Sequence, residues 1–299
     1  MQWLTSKLEK ENLAKVIKMI KTCFDDPSLE IKDLCFNESC IDTMKSIKPD
    51  SVDLVLTSPP YDEMRSYGGY SSFDFFEVAE SIYRVLKEGA VLVWVVSDQV
   101  KNNDESGTSF KQALDFKDLG FKLFDTMIYQ KQLRPMGSLK SYLQEFEYMF
   151  IFSKGDPNTI NHIKDHRKKD PQTRTHMHKR VKDKKIKLKY TNPEKQLYSR
   201  RGNIWKYATG LYNSTSDPEA FEHPAIFPEK LAADHIISWT NEGDLVYDPF
   251  AGSGTVLKMA KSLNRHFYGS EINPDYWNIC QKRLTRAANH RLTEFDSFL

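Results

Sequence analysis

The amino-acid sequence predicts an α/β protein with a doubly wound, mostly parallel sheet that is covered by helices on both faces. Short apolar runs alternate with helical stretches along most of the 299 residues, and this alternation is the pattern of parallel sheets. The run at 90–96 is almost entirely apolar, as expected for a strand that is buried on both faces. A chain of this length can also bury a full α/β core.

The first half of the chain predicts one helix followed by alternating strands and helices. The helix falls within residues 1–30, where Thr5 or Ser6 can cap it and apolar residues follow at helical spacing. The sequence Lys87-Glu88-Gly89 is typical of a helix stop. The expected strands are 31–36, 52–57, 90–96, 121–129 and 148–152, and the expected helices are 40–47, 75–86 and 110–119.

The alternation breaks between residues 154 and 222 and then resumes. The interrupted stretch is polar, basic and poor in periodic apolar residues, which indicates an inserted module. Beyond it we expect helices at 228–239, 256–263 and 274–284 and strands at 245–247 and 267–270. The chain is therefore divided into an N-terminal helical extension at 1–30, one half of the α/β domain at 31–154, an insert at 155–222 and the other half at 223–299.

Charge is distributed unevenly along the chain. The net charge is only +2, but residues 162–201 hold 15 Lys or Arg and 4 Asp or Glu, so the remainder is net acidic. Such a basic block is either a solvated loop or a surface that contacts phosphates. The interleaved His176, His178, Tyr190 and Tyr198 favour contact with nucleic acid.

Several protein classes are disfavoured by composition. No apolar run approaches the roughly 18 residues that span a membrane. The first ten residues lack the apolar core of a signal peptide, so we expect a cytoplasmic protein. The four cysteines form no CxxC pair, and we expect them to be reduced and structural, with no metal site.

A glycine-containing loop follows one of the short predicted strands. In a doubly wound sheet, ligands bind just past the carboxyl ends of strands, and Gly252 and Gly254 allow a ligand to approach the backbone closely. The loop is not a P-loop, because no Lys follows the glycines, and it is not a full GxGxxG. It reads Asp248-Pro249-Phe250-Ala251-Gly252-Ser253-Gly254-Thr255.

A second acid, Glu271, ends the next strand after this loop. It is placed to accept hydrogen bonds from two ribose hydroxyls. A cofactor with a ribose, an adenine, an ammonium and a sulfonium, but no phosphate, fits this pair of acids better than NAD does.

A second motif, Thr57-Ser58-Pro59-Pro60-Tyr61, also stands at the end of a predicted strand. The prolines fix φ and remove two backbone donors, so that rigidly held carbonyls remain as acceptors. A hydroxyl on Ser58 and an aromatic face on Tyr61 lie beside them. Acceptors and an aromatic plate are what the exocyclic amine of a planar base requires.

Together the two motifs resemble the amino-methyltransferase family of bacterial DNA modification enzymes. The likeness is to the subgroup in which a catalytic (S/D/N)PP(Y/F) motif precedes the cofactor motif, and it covers almost the whole chain. Further segments similar to the family's blocks are 83–89, 147–155, 223–231 and 269–271.

The resemblance implies a seven-stranded, Rossmann-like methyltransferase sheet and S-adenosylmethionine as cofactor. It implies double-stranded DNA as substrate, with the target base flipped out of the duplex, and a cognate restriction endonuclease as a possible partner. The insert would then recognise the DNA target. The implied catalytic residues are Ser58, Pro59, Pro60 and Tyr61. The implied cofactor residues are Thr57, His223, Phe227, Asp248, Pro249, Phe250, Ala251, Gly252, Ser253, Gly254, Thr255 and Glu271.

The family pattern also bears on the target base. A Ser at the first motif position leans towards N4 of cytosine, whereas an Asp leans towards N6 of adenine, so we expect N4-cytosine with N6-adenine as the alternative. An RNA methyltransferase, a dinucleotide oxidoreductase and a non-catalytic DNA-binding protein are the rival functions. In one departure, the family's Gly-Asp near the cofactor adenine is replaced by Asn37-Glu38-Ser39, and either Glu38 or Ser39 can serve in its place.

Overall fold

The computed structural model describes residues 32–60, 73–132, 142–167, 176–181, 184–189, 197–210 and 213–289. The helix expected within residues 1–30 and the motif residue Tyr61 lie outside these ranges. Across the described residues the chain forms one large sheet with helices on both faces. No helix in this part of the chain combines the length and apolar character needed to cross a membrane.

The strands and helices follow the predicted alternation. The strands are β1 Leu34–Phe36, β2 Val52–Thr57, β3 Leu86–Val96, β4 Val100–Lys101, β5 Asp104–Glu105, β6 Lys122–Lys131, β7 Phe146–Ser153, β8 His166–Arg167, β9 His176–Val181, β10 Lys184–Lys189, β11 Tyr198–Ser199, β12 Ile204–Tyr207, β13 Leu245–Asp248 and β14 His266–Ser270. The helices are α1 Cys40–Ser46, α2 Phe75–Val85, α3 Thr108–Asp118, α4 Glu229–Trp239, α5 Thr255–Ser262 and α6 Pro274–Asn289, with a short 3₁₀ helix at Pro218–Glu222.

The large sheet has eight strands in the order β1-β14-β13-β2-β3-β7-β6-β12. Neighbouring strands are parallel except at β7, which runs antiparallel to both β3 and β6. The predicted α/β fold with a mostly parallel sheet is thus confirmed, with eight strands instead of the seven that we expect from the resemblance.

The additional strand comes from the segment predicted as an insert. In β12, Trp205 and Tyr207 are buried whereas Ile204 and Lys206 are exposed, which is the alternation of a half-buried edge strand. This strand pairs in parallel with β6. Part of 155–222 therefore completes the sheet, and the domain boundaries given above remain a prediction.

Two apolar cores lie on opposite faces of the sheet. Along β3, Val91, Val93 and Val95 belong to one core with α4, α5 and α6, whereas Leu92 and Trp94 belong to the other with α1, α2 and α3. Both faces of β3 are covered, which explains why its sequence is apolar without alternation. Helix α2 ends at Val85 with Leu86 as its C-cap, directly before Lys87-Glu88-Gly89, as predicted. The strand already begins at Leu86, so these three residues belong to β3.

The segment between β7 and β12 is closed at its base. The backbone N–H of Arg201 donates to the carbonyl of Ile163 at 2.9 Å, which joins the outgoing and returning chain. Both sides also bind α4: Asn161 donates to the carbonyls of Ile237 and Thr240 at 3.1 Å each, and Nη1 of Arg201 lies 2.6 Å from Asp234. The segment thus starts and finishes at the same helix.

Candidate active site

The sheet places the two predicted motifs side by side at its carboxyl edge. Strands β2 and β13 are parallel neighbours, with Val55 opposite Tyr247, so both strands end at the same edge. The hydroxyl of Thr57 donates to Oδ1 of Asp248 at 2.7 Å, although 191 residues separate them in sequence. This buried bond joins the end of one motif to the start of the other.

One cavity of about 920 Å³ opens along this edge. Most of the predicted site residues line it. They are Ser58, Pro60, His223, Phe227, Asp248, Pro249, Phe250, Ala251, Gly252, Ser253, Thr255 and Glu271. Thr57, Pro59 and Gly254 are not among its lining residues, and Tyr61 is outside the described part of the chain.

Asp248 is buried at the floor of this cavity. Its Oδ1 accepts from Thr57 and from the backbone N–H of Phe250 at 3.0 Å. Burial raises the pKa of Asp248 to about 7, against the effect of these two bonds and with a contribution from the negative charge of Glu271. No described residue bonds to Oδ2, so this oxygen of the buried carboxylate can accept a hydrogen bond from a bound ligand.

Glu271 follows β14, the parallel neighbour of β13. Its Oε2 accepts from the backbone N–H of Gly252 and its Oε1 accepts from that of Asn273, both at 2.8 Å. Burial raises the pKa of Glu271 in spite of these bonds. Each oxygen retains a further lone pair, so the carboxylate can still accept from two hydroxyls.

The loop between β13 and α5 fits closely against its neighbours. Gly252 has φ of +51° and Gly254 has φ of +77°, which is the left-handed region that favours glycine. A Cβ on Gly252 would lie 2.9 Å from Nε2 of His223, and one on Gly254 would lie 2.4 Å from Sγ of Cys280. The loop backbone therefore occupies space that no side chain can share.

These residues fit S-adenosylmethionine. The two carboxylates at the strand ends suit hydroxyl and ammonium donors, and they disfavour the phosphates of a dinucleotide. Among the described lining residues the only Lys is Lys131, and its Nζ lies 2.6 Å from Oε1 of Glu147. Across the described ranges, no cluster of three or more His, Cys, Asp or Glu side chains could hold a metal ion.

The two candidates for the family's missing Asp both line the cavity. The Ser39 hydroxyl accepts from the N–H of Ile41 at 3.3 Å as the N-cap of α1, and Oε1 of Glu38 accepts from Thr43 at 2.9 Å.

Sequence reasoning missed the far wall of the cavity. Tyr129, Lys131 and Glu147 line it from β6 and β7, and burial raises the pKa of Tyr129, with the charge of Glu147 adding to the effect. The start of β7 reaches this edge only because the strand is antiparallel. Charged residues next to two predicted strand ends were the one available signal.

Comparison with known proteins agrees with this geometry. The family model of N6/N4 methyltransferases, described as DNA methylase, matches residues 52–282. The orphan methyltransferase M.BamHII of Bacillus amyloliquefaciens is 50% identical over 237 residues, covering 78% of this chain and 89% of that protein.

Solved structures share the fold. The cytosine-N4-specific PvuII DNA methyltransferase has a TM-score of 0.61 at 18% identity and covers 85% of this chain and 90% of its own. The M1.HpyAVI-SAM complex has a TM-score of 0.54 at 21% identity and covers 84% of this chain and 98% of its own.

Proposed function

The chain belongs to the DNA methylase family, and from that premise we propose that it methylates N4 of cytosine at a specific site in double-stranded DNA. It is an S-adenosylmethionine-dependent DNA methyltransferase that acts on an exocyclic amine. The observation that carries the methyltransferase assignment is the bond between Thr57 and Asp248, because it joins the Ser-Pro-Pro motif to the loop 248–255, here called the cofactor loop, at one cavity. The choice of cytosine is supported by Ser58 at the first position of the catalytic motif.

The cofactor-binding roles follow from the chemistry of the lining residues. The Glu271 carboxylate accepts hydrogen bonds from the ribose hydroxyls of the cofactor. The open Oδ2 of Asp248 accepts a hydrogen bond from the cofactor's amino group. The resemblance of segment 223–231 to a block of the family implies that His223 and Phe227, which line the cavity, lie beside the methionine end. When bound, S-adenosylmethionine supplies a methyl group on a sulfonium.

The catalytic roles belong to the end of β2. The amine of cytosine is a poor nucleophile, because its lone pair is delocalised into the ring. The Ser58 hydroxyl and the Pro59 carbonyl accept hydrogen bonds from the N–H groups of the amine and favour a tetrahedral nitrogen whose lone pair can attack in line. Positioning and electrostatics provide most of the rate enhancement in this scheme. Tyr61 stacks on the base, which must leave the duplex to reach the cavity.

The segment 155–222 supplies DNA contacts in this proposal. Its strands β9 and β10 pair as an antiparallel ribbon, with Lys185 opposite Arg180, Lys187 opposite His178 and Lys189 opposite His176. Residues directly opposite share a face, and so does every second residue along a strand. These six basic residues therefore share one face of the ribbon, which suits a phosphate backbone.

Nucleoside mass spectrometry tests the target base. DNA from a host that expresses the protein is digested, and long-read modification mapping of the same DNA identifies the site. We expect N4-methylcytosine with the native chain and none with Ser58→Ala, whose loss of turnover should be at least a hundredfold. N6-methyladenine would replace the cytosine assignment, and methylation of RNA but not of duplex DNA would overturn the proposal.

A further inference from the structure

The most completely bonded charged side chain near the site is Arg283 of α6, which is 1% exposed. Its Nη1 lies 2.7 Å from the carbonyl of Ser253, 3.1 Å from the Ser253 hydroxyl and 3.0 Å from the hydroxyl of Thr255. Both residues belong to the cofactor loop and flank Gly254. One side of the guanidinium is thus committed to the loop.

The other side of the guanidinium binds the segment 215–229. Nε donates to Oδ2 of Asp217 at 2.8 Å, and Nη2 donates to Oε1 of Glu229 at 2.7 Å and to the hydroxyl of Thr215 at 3.4 Å. This segment contains His223 and Phe227, which also line the cavity, with His223 directly beside Gly252 of the loop. One side chain therefore connects two walls of the cavity.

The surrounding charges are balanced. Lys258 lies 2.8 Å from both Asp217 and Glu229, so two cations face two carboxylates. Burial alone would raise the pKa of Asp217, but hydrogen bonds and charges from Lys258 and Arg283 outweigh it and hold its pKa below the usual range. The carboxylate stays ionised, and all five N–H donors of Arg283 have partners.

Stability alone is a weak reason for such a cluster. Replacing a buried ion pair by apolar side chains of similar volume is often neutral or stabilising, because two charges must be desolvated to form the pair. What apolar residues cannot supply is directional bonding to a carbonyl and two hydroxyls of the loop. These directional bonds hold the loop that lines the cavity, so the role of Arg283 is to be sought in the site.

We propose that Arg283 is a positioning residue for cofactor binding, which fixes the cofactor loop relative to the wall formed by His223 and Phe227. The proposal rests on the cofactor assignment made above. It implies that loss of Arg283 weakens cofactor affinity and raises the KM for S-adenosylmethionine, with a smaller effect on kcat at saturating cofactor and on the KM for DNA.

The test compares Arg283→Met with Arg286→Met. Arg286 is one turn further along α6, where it binds Glu219 and lies 3.8 Å from Asp217, but no bond within the described ranges joins it to the loop. Calorimetry with S-adenosylmethionine should show a Kd raised at least tenfold for Arg283→Met and changed less than twofold for Arg286→Met. Arg283→Lys retains the charge without the planar fork and should fold while losing several-fold in affinity.

Two results separate the possible failures. If Arg283→Met and Arg283→Lys bind the cofactor as Arg286→Met does, while Asp248→Asn loses affinity, the role of Arg283 is overturned and the loop assignment stands. If Asp248→Asn also binds normally, the cofactor assignment itself fails. Should Arg283→Met not fold, the Lys variant decides the matter by the same comparison.

Discussion

At the scale of single residues, the site contains two carboxylates that are costly to ionise. Asp248 is buried and one of its oxygens has no partner among the described residues, and burial raises the pKa of both Asp248 and Glu271. A bound cofactor can offset this cost by bringing an amino group and hydroxyls. The residues that bind the cofactor should therefore weaken the fold when it is absent.

The raised pKa of Asp248 makes the stability of the fold depend on pH. The pKa of Asp248 is about 7 in the folded chain, whereas that of an unperturbed aspartate is 3.8, so the folded state retains a proton that the unfolded state has released between these values. The stabilisation of the folded state by this proton is therefore complete below about pH 4 and is lost as pH rises to about 7. The free energy of unfolding should fall over this range by at most on the order of 4 kcal/mol. Asp248→Asn should unfold at a higher temperature than the native apo chain at pH 8, with little difference at pH 4.

The same substitution should impair function. Cofactor affinity of the native chain should increase as pH rises through about 7, because the ionised carboxylate accepts from the amino group, and that dependence should vanish in Asp248→Asn. Asp98→Asn is the control, since Asp98 is also buried but caps α3 through Ser109 outside the cavity. A flat pH profile for the native chain would contradict the role of Asp248.

At the scale of elements, helix α6 packs against the cofactor loop. Cys280 and Arg283 lie one turn apart on this helix, and the former closes the space above Gly254 while the latter bonds to the residues on either side of it. The loop conformation depends on both of these neighbours.

Substitution of Gly254 by Ala should therefore lower the free energy of unfolding by more than the backbone strain alone would. Gly243 has a similar φ of +83° with nothing within 4 Å of an added Cβ, so Gly243→Ala isolates the strain, which is about 1–2 kcal/mol. Gly254→Ala should exceed this by at least 1 kcal/mol in chemical unfolding and should also weaken cofactor binding. Equal effects of the two substitutions would show that Cys280 does not constrain the loop.

The sequence predicted most elements of the fold because their periodicity is strong. Strand β2 has the predicted bounds, and the loop from Asp248 to Thr255 stands at a strand end, as expected. The antiparallel direction of β7 was not predictable, because a strand apolar along most of its length carries no information on its orientation. For that reason Glu147 at the start of β7 was missed, whereas most of the predicted residues that follow parallel strands line the cavity.

Bonds between distant parts of the chain were also beyond sequence reasoning. The bonds of Arg283 join positions 28 to 68 residues apart, and no local pattern distinguishes this Arg from its exposed neighbour Arg286. Strand β12 was missed for another reason, since four residues with one alternation are too few to stand out inside a polar stretch.

At the scale of the whole molecule, charge is separated between the acidic α/β domain and the basic block at 162–201. We propose that the latter contacts phosphates, so that counterion release makes DNA binding strongly dependent on salt. In the β9–β10 ribbon, Lys185 and Lys187 are on the face with Arg180 and the histidines, whereas Lys184 and Lys179 are on the opposite face.

This register defines a matched pair of variants. The logarithm of DNA affinity falls linearly with the logarithm of salt concentration. Replacing Lys185 and Lys187 by Gln should make this slope less steep by about 1 for each phosphate that the ribbon no longer neutralises. The same replacement of Lys184 and Lys179 should leave the slope nearly unchanged, although both double variants have the same net charge. Fluorescence anisotropy with a duplex over a range of salt concentrations measures the slopes, and identical slopes would show that the ribbon has no DNA-binding face.

The closed base of the segment between β7 and β12 has a consequence for how such enzymes diversify. Because Ile163 and Arg201 are bonded to each other and Asn161 and Arg201 are anchored to α4, the polypeptide between them can lengthen, shorten or be exchanged at a small entropic cost that grows only slowly with its length. Such a change would leave the residues of the methyl-transfer site in place. On the proposal that this segment contacts DNA, its exchange should change which sequence is methylated and leave the methyl-transfer site as it is.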